Sequence, residues 1–306
     1  MKSRLTTIWI LCKRNIRLFV RDRASLFFSF LSPIILLFLY LFFLADLQVD
    51  NIEFALKQVP NLVYTSKDIR VFVYSWLLAN VVSLSIITVT LGVSGNVVLD
   101  KEKGVIKDFS VAPVSKFEIV ISYFLSLFIV SLTINLLLIV LGQLYLLSIG
   151  GELLPLIDLL KFLGVLVISL FSVVLLIMIV VSYLETSNSY SALSAIVGTF
   201  AGFLIGAYMP ISLFPKWVQL ISNIMPASLS SALLRNIMME GTLANLLKNV
   251  PQEFYNQIEG NIRYNFSMDL FYYDYKIESW LMLLIVGGSV FLFLLINIFR
   301  YSKKKI

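Results

Sequence analysis

The sequence is divided into long apolar runs that are separated by shorter polar segments. The runs cover residues 24–45, 71–99, 117–149, 159–184, 190–209 and 277–299, and the few charged residues near them fall at their ends. A helix of about 20 apolar residues crosses the hydrocarbon core of a bilayer. Because backbone groups in that core must bond within their own segment, the runs predict an all-α polytopic membrane protein with six transmembrane helices in one domain, residues 1–306.

The composition excludes several functions. Hydrophobic residues make up 59% of the chain, whereas a soluble domain contains about 45–50%, so a soluble enzyme is excluded. With one cysteine, Cys12, and no histidine, the chain forms no intrachain disulfide and lacks the commonest general base and metal ligand. We therefore predict neither a catalytic residue nor a metal site. A phosphate loop of the form G-x-x-x-x-G-K-[ST] is also missing from the sequence.

The N-terminal residues 1–23 combine an apolar stripe with many positive charges. The stripe consists of Leu5, Ile8, Cys12, Ile16 and Phe19, and the basic residues are Lys2, Arg4, Lys13, Arg14, Arg17, Arg21 and Arg23. This pattern predicts an interfacial helix on anionic lipid, with a solvated basic tail as the alternative. A signal peptide is not expected, because the apolar run that follows is long and has no cleavage site after it.

Residues 100–115, DKEKGVIKDFSVAPVS, form a polar island between the second and third runs. Charged residues alternate there with apolar ones, and the segment contains Gly104 and Pro113. We predict a short amphipathic helix at the membrane surface, on which another protein pushes. The alternative is an ordinary interfacial loop helix without a partner.

Prolines interrupt the chain after the fifth run, at Pro210, Pro215 and Pro226. The pieces between them are too short to span a bilayer, so we predict a re-entrant or interfacial helical hairpin with Trp217 at the headgroup level. The polar and aromatic residues 240–276 are predicted to be external. In the second run, small polar residues such as Ser75, Ser83 and Thr88 favour helix packing over a substrate path.

The distribution of charge predicts the orientation. Fifteen of the 24 lysines and arginines lie in the N-terminal region, the polar island with the adjoining Lys116, and the C-terminal tail. The positive-inside rule therefore places these segments, and both termini, in the cytoplasm. The basic composition then reflects topology and lipid contact, and no nucleic-acid partner is expected.

Three classes of membrane protein remain. A transporter coupled to an ion gradient usually carries an ionisable group deep in the membrane, which these runs lack. A membrane enzyme would need a catalytic constellation, which is not visible. A permease driven by a separate ATPase needs neither, and the polar island then serves as its docking element.

Two groups of residues carry a family resemblance. The first comprises Glu102, Lys103, Gly104, Ile106, Ala112, Pro113 and Val114, and it is similar to the pattern E-[RK]-x-x-G-T-[IL]…[ST]-P-[VI]. It departs from the pattern at three positions: Gly104 comes one residue early, Val105 replaces a threonine, and Ala112 replaces a serine or threonine. The second comprises Pro210, Pro215, Trp217, Pro226 and Arg235, which follow a P…P-x-W…P…R pattern. With Arg21-Asp22-Arg23 before the first run and the six-span plan, the whole chain resembles the permease subunits of the type-2 ABC transporter family.

The resemblance implies a mechanism and partners. Residues 100–115 match the coupling helix, which sits in a cleft of the nucleotide-binding ATPase subunit, and residues 2–22 match the connecting helix, with Arg14, Arg17, Arg21 and Arg23. The residues expected to couple are Glu102, which would pair with a basic residue of the ATPase, and Gly104, Val105, Ile106, Phe109 and Pro113. Two permease chains, identical or different, would join two ATPase chains. ATP and Mg²⁺ would bind to those ATPases, and this chain would bind no cofactor.

The same resemblance implies a multi-pass exporter of a bacterial plasma membrane. We expect efflux of a hydrophobic or amphipathic compound such as a drug, an antimicrobial peptide or a lipid-like molecule. The alternatives are export of a polysaccharide or lipid-linked glycan and, less favoured, ion-coupled secondary transport.

Overall fold

The computed structural model describes residues 2–57, 64–111 and 113–303. Twelve α-helices, a π-helical turn, a 3-10 turn and one β-hairpin make up the regular structure of these residues. The helices are α1 (Lys2–Arg21), α2 (Arg23–Leu39), α3 (Ala45–Lys57), α4 (Ser66–Glu102), α5 (Val105–Val111), α6 (Lys116–Ser148), α7 (Leu156–Tyr183), α8 (Ser187–Leu204), α9 (Lys216–Ile224), α10 (Pro226–Leu247), α11 (Gln252–Asn265) and α12 (Ser279–Lys303). The hairpin pairs β1 (Leu270–Tyr272) with β2 (Tyr275–Ile277). The predicted all-α class is confirmed.

Among the described residues, five helical segments are long and apolar enough to cross a membrane. They are Arg23–Phe54, Ser66–Glu102, Lys116–Ser148, Leu156–Tyr183 and Ser279–Arg300. The predicted run 190–209 falls on α8, an 18-residue helix with a polar first turn, which is not among the five. The polytopic character is thus confirmed, whereas the exact six-span layout stays a prediction.

Helix α4 forms the centre of the bundle. It has 37 residues, so it is about 55 Å long, and it contacts α2, α6, α7, α8 and α10. Four of its six buried serines and threonines bond within the protein: Ser75 and Ser83 donate to carbonyl oxygens one turn back, the Thr90 hydroxyl lies 2.9 Å from that of Ser131 on α6, and Ser94 donates to the Leu91 carbonyl. The hydroxyls of Ser85 and Thr88 have no partner among the described residues. These contacts support the packing interpretation of the small polar residues.

The first crossing helix does not end where the apolar run ends. Helix α2 continues through Pro33, passes into a π-helical turn at Tyr40–Leu44, and then continues as α3 to Lys57. The Tyr40 ring packs edge-on against Trp76 of α4 with centroids 5.1 Å apart. The polar residues after position 45 therefore extend the same helical rod beyond the apolar span, because α3 keeps a buried stripe of Val49, Ile52 and Leu56 against α4.

In the region after Pro210 that is predicted to form a helical hairpin, the last helix is longer than the sequence predicts. A 3-10 turn at Ile211–Leu213 and the short helix α9 precede α10, which begins with Pro226 at its first turn, where proline costs no hydrogen bond. Helix α10 does not stop near Arg235 but continues to Leu247, because Met239, Leu243 and Leu246 maintain a buried apolar stripe against the bundle. Part of the region predicted to be external, residues 240–247, is therefore packed helix.

The two ends of the bundle differ. We call the end formed by α1, α5, the last turn of α4 and the α7–α8 turn the basic end. The end formed by α3, α11 and the β-hairpin is called the cap end. Residue 112 of the predicted docking segment lies outside the described residues.

Candidate functional site

The predicted docking segment at the basic end is divided by Gly104. Residues 100–102 are the last residues of α4, and a new helix, α5, begins only at Val105. Gly104 has a φ of +75°, a left-handed conformation that glycine adopts without strain. Its N–H donates to the Lys101 carbonyl at 3.0 Å, which ends α4 in a helix-terminating turn. The turn sets the angle between α4 and α5.

Gly104→Ala is expected to destabilise the folded chain by about 1 kcal/mol, because a Cβ is disfavoured at positive φ. Crowding does not contribute, since no atom lies within 4 Å of the Cβ position. Gly164→Ala in α7 is the matched control, because that position has equal space and sits inside a helix, where alanine is preferred. Thermal unfolding of the two purified variants tests the difference. Equal melting temperatures would contradict this role of Gly104.

A charged cluster links α1 to the last turn of α4. The Arg14 guanidinium donates to both carboxylate oxygens of Asp100, over 2.7 and 2.8 Å, and the Tyr123 hydroxyl of α6 donates to the same carboxylate over 2.5 Å. The Asp100 side chain is only 6% exposed. The hydrogen bond to Asp100 raises the pKa of the Arg14 guanidinium, which stays charged. We call Arg14, Asp100 and Tyr123 the linkage cluster.

The linkage cluster also reaches α5. The Arg14 guanidinium carbon lies 5.5 Å from the centroid of the Phe109 ring, a cation–π distance. Phe109 is half-buried and packs against the apolar core. One arginine therefore connects the N-terminal helix, the short helix α5 and the central helix α4.

A second set of contacts joins α4 to the turn between α7 and α8. The Lys101 ammonium donates to the carbonyl oxygens of Val181 at 2.7 Å and Leu184 at 3.1 Å, at the end of α7, where carbonyl groups lack the N–H partners of a continuing helix. The Glu102 carboxylate accepts hydrogen bonds from the Ser187 N–H, at 3.1 Å, and from the Ser187 hydroxyl, at the start of α8. Movement of the last turn of α4 thus acts directly on both helices.

A hydrogen-bond network centred on Arg235 lies toward the cap end of the bundle. Its side chain is fully buried and donates to the carbonyl oxygens of Ser267 and Ile205, the Asn80 amide oxygen and the Ser231 hydroxyl, over 2.9 to 3.0 Å. Ser267 holds a φ of +52° and its hydroxyl accepts from the Ile211 N–H at 2.7 Å. Arg235 therefore fastens two irregular loops to α4 and α10.

The other residues of the P…P-x-W…P…R pattern surround this network without joining it. Pro210 is buried next to Ile211, and Pro215 and Pro226 precede or open α9 and α10. The Trp217 side chain is 66% exposed at the start of α9. Its position at the headgroup level stays a prediction.

A cavity of about 850 Å³ lies between α2 and α8, with α4 behind it. Its walls combine apolar groups with hydroxyls, and include Phe28, Ser32, Ile35, Thr88, Ser194 and Thr199. The hydroxyl of Tyr190 donates to the Leu91 carbonyl, which holds α8 against α4 beside the cavity. No Asp, Glu, Lys or Arg side chain lines this space, so it suits an uncharged, partly apolar molecule.

Comparison with known families decides the class of the protein. A family model described as ABC-2 type transporter matches residues 6–239. The chain belongs to the ABC-2 type transporter family. No curated protein and no solved structure matches it. The matched region runs from α1 into α10, so it contains the docking segment, the linkage cluster and Arg235, whereas α11, the hairpin and α12 lie beyond it.

Membership identifies the chain as the membrane-spanning permease part of an ABC transporter and implies an ATPase partner. In this ABC-2 permease, the exposure of each side chain in the docking segment decides whether that partner can contact it. Val105, Ile106 and Phe109 are half-buried, while Glu102 and Pro113 are exposed. Val111, 89% exposed, and Phe117, 69% exposed, are the large apolar side chains that project most at this end of the permease.

The structure therefore separates residues that the sequence pattern groups together. Of the four connecting-helix arginines, Arg14 enters the linkage cluster, whereas Arg17, Arg21 and Arg23 are exposed. The pattern does not single out Asp100 as a partner of Arg14, nor Tyr123, because both roles depend on contacts between helices. In the sequence, Asp100 is marked only by its position as a charged residue at the end of an apolar run. No group of three or more Cys, Asp or Glu side chains that could hold a metal occurs in the described part of the permease.

Proposed function

We propose that this chain is the permease subunit of an ATP-driven exporter, and that its basic end faces the cytoplasm and docks the ATPase. The observation that carries the proposal is the linkage cluster, in which α1 and α5 are bound to the same turn of α4. A force applied to α1 or α5 is thereby transmitted to α4, and through Lys101 and Glu102 to α7 and α8. ATP and Mg²⁺ would act on the partner ATPase.

The proposed cargo is a hydrophobic or amphipathic compound taken from the membrane. The uncharged cavity between α2 and α8 supports this, because its hydroxyl groups and aromatic rings match a molecule with a large apolar part. Movement of α8 relative to α2 would change the width of the cavity. We further propose that two permease chains and two ATPase chains form the working unit in a bacterial plasma membrane, with both termini of this chain cytoplasmic.

Val111→Asp tests the docking role. A carboxylate on this projecting apolar side chain should reduce the amount of ATPase that copurifies with the chain, and the ATP hydrolysis of the preparation, at least tenfold. Thermal stability should not change, since the side chain is 89% exposed. A change at Phe109 is less informative, because that ring also packs beneath Arg14.

The matched control is Leu153→Asp, which places the same charge on an apolar side chain that is 57% exposed near the start of α7. This variant should retain the ATPase. Full copurification and unchanged ATP hydrolysis with Val111→Asp would contradict docking through α5. Cargo movement by the purified chain alone, driven by an ion gradient, would instead support the secondary-transporter alternative.

A further inference from the structure

A cleft of about 520 Å³ lies between α3 and α11 at the cap end, outside the residues expected to couple to an ATPase. Its floor is apolar and includes Ile52, Ile262 and Phe266. Around the floor stand the side-chain amides of Gln48 and Asn51 from α3 and of Gln257, Asn261 and Asn265 from α11. Amide side chains thus dominate the polar surface of this cleft.

None of the charged residues of α3 and α11 lines the cleft. On α3, Asp46, Asp50, Glu53 and Lys57 share the face opposite Gln48, as a rotation of about 100° per residue requires. Glu53 and Lys57 pair with each other at 3.1 Å. On α11, Arg263 pairs with Glu240 at 3.0 Å and lies near Glu259, away from the cleft. The residues that line the cleft therefore include five amides and no charged side chain, and Glu253 lies outside the lining, one helical turn before Gln257.

The amides that line the cleft are available. The side chains of Gln48, Asn51, Gln257 and Asn261 make no hydrogen bond within the described part of the chain. Each amide offers two N–H donors and one oxygen acceptor. Their natural partners are hydroxyl groups, which donate and accept, and the absence of charged walls removes the attraction that an ionic ligand would require.

We propose that this cleft binds a neutral glycosyl group, with the C–H face of the sugar ring on the apolar floor and its hydroxyls bonded to the amides. The volume falls within the range of about 300–1,000 Å³ that is usual for small-molecule sites. Helix α3 continues the α2 rod directly, so the cleft adjoins the membrane face from which a sugar-bearing lipid would present its head. Such a head is one end of an amphipathic molecule whose apolar part matches the cavity between α2 and α8.

Binding does not depend on the proposed export cycle, so it is measured on the purified full chain without ATP or ATPase. The chain is prepared in a detergent without sugar headgroups, and saturation-transfer NMR is recorded with the neutral trisaccharide maltotriose. The double variant Asn51→Leu/Asn261→Leu removes one amide from each wall, and both side chains are exposed, so folding should be retained. Asn256→Leu is the matched control, since this exposed amide lies on α11 outside the cleft.

We expect saturation transfer to maltotriose with the unmodified chain and with Asn256→Leu, and at least a fivefold loss with the double variant at an unchanged melting temperature. The anionic trisaccharide sialyllactose should give a weaker signal than maltotriose. The proposal is overturned if maltotriose gives no signal or if the double variant keeps it. It is also overturned if sialyllactose binds as well, or if a capped neutral peptide, acetyl-Ser-Asn-Ser-amide, binds and maltotriose does not. Failure of export with sugar binding retained would count against the proposed function alone.

Discussion

Asp100→Leu is expected to abolish export and to destabilise the chain by on the order of 3 kcal/mol, the lower part of the range for breaking a buried ion pair. The reason is that Arg14, whose side chain is 31% exposed, loses both carboxylate contacts, while the hydroxyl of Tyr123 loses its acceptor. Without Asp100, the charged link from α1 and the Phe109 ring of α5 to the last turn of α4 is lost. Export of cargo from cells and thermal unfolding of the purified chain measure the two effects.

A double-mutant cycle separates the ion pair from simple loss of packing. In Arg14→Leu/Asp100→Leu no unpaired charge remains, so the double variant should be more stable than Asp100→Leu. Glu152→Leu is the control, because this exposed acidic residue of the α6–α7 loop lies outside both the linkage cluster and the docking segment. Additive effects in the cycle, or normal export by Asp100→Leu, would mean that the linkage cluster does not transmit force.

Arg235→Met should have the largest effect on stability. The substitution keeps an unbranched chain but leaves four buried oxygen acceptors without their donor, two of them loop carbonyls. Since each unsatisfied buried group costs about 1–3 kcal/mol, we expect a loss of several kcal/mol and a large fall in the yield of folded protein. Arg235→Lys should recover only part of it, because an ammonium cannot reproduce the planar fork of donors.

The loss should be local to the cap end. Limited proteolysis is expected to cut Arg235→Met first near residues 205–211 and 266–270, the loops that the guanidinium fastens. Lys248→Met is the control, since this exposed residue caps the same helix, α10, without entering the network. A melting temperature and cleavage pattern equal to those of the unmodified chain would rule out a structural role for Arg235.

Several features of the candidate site follow from local sequence. The apolar stripe of residues 2–21 gives a helix in which Cys12 and Phe19 are buried, as a period of three to four residues requires. Gly104 marks the break between α4 and α5 because it has no Cβ, and Ser115 with Glu118 forms the capping box that starts α6. The position of the docking segment was therefore predictable to within a few residues.

Other features were not predictable from local sequence. The docking segment was expected to be one helix over residues 100–115, but Asp100 and Glu102 belong to α4 and face α1 and α8. The three prolines predict breaks in the chain, but they do not show that α10 continues to Leu247, because its buried stripe beyond Arg235 depends on packing against other helices. In both cases the deciding contacts come from distant helices.

The sequence by itself determined that this chain is a helical membrane protein with a basic N-terminal helix and a polar segment between its second and third runs. It did so because hydropathy and helical periodicity act over neighbouring residues. Only the tertiary structure decided which charged residues work together. Arg14 and Asp100 are separated by 86 residues, and Arg235 and Asn80 by 155. Their pairing depends on how the helices pack, which no local pattern encodes.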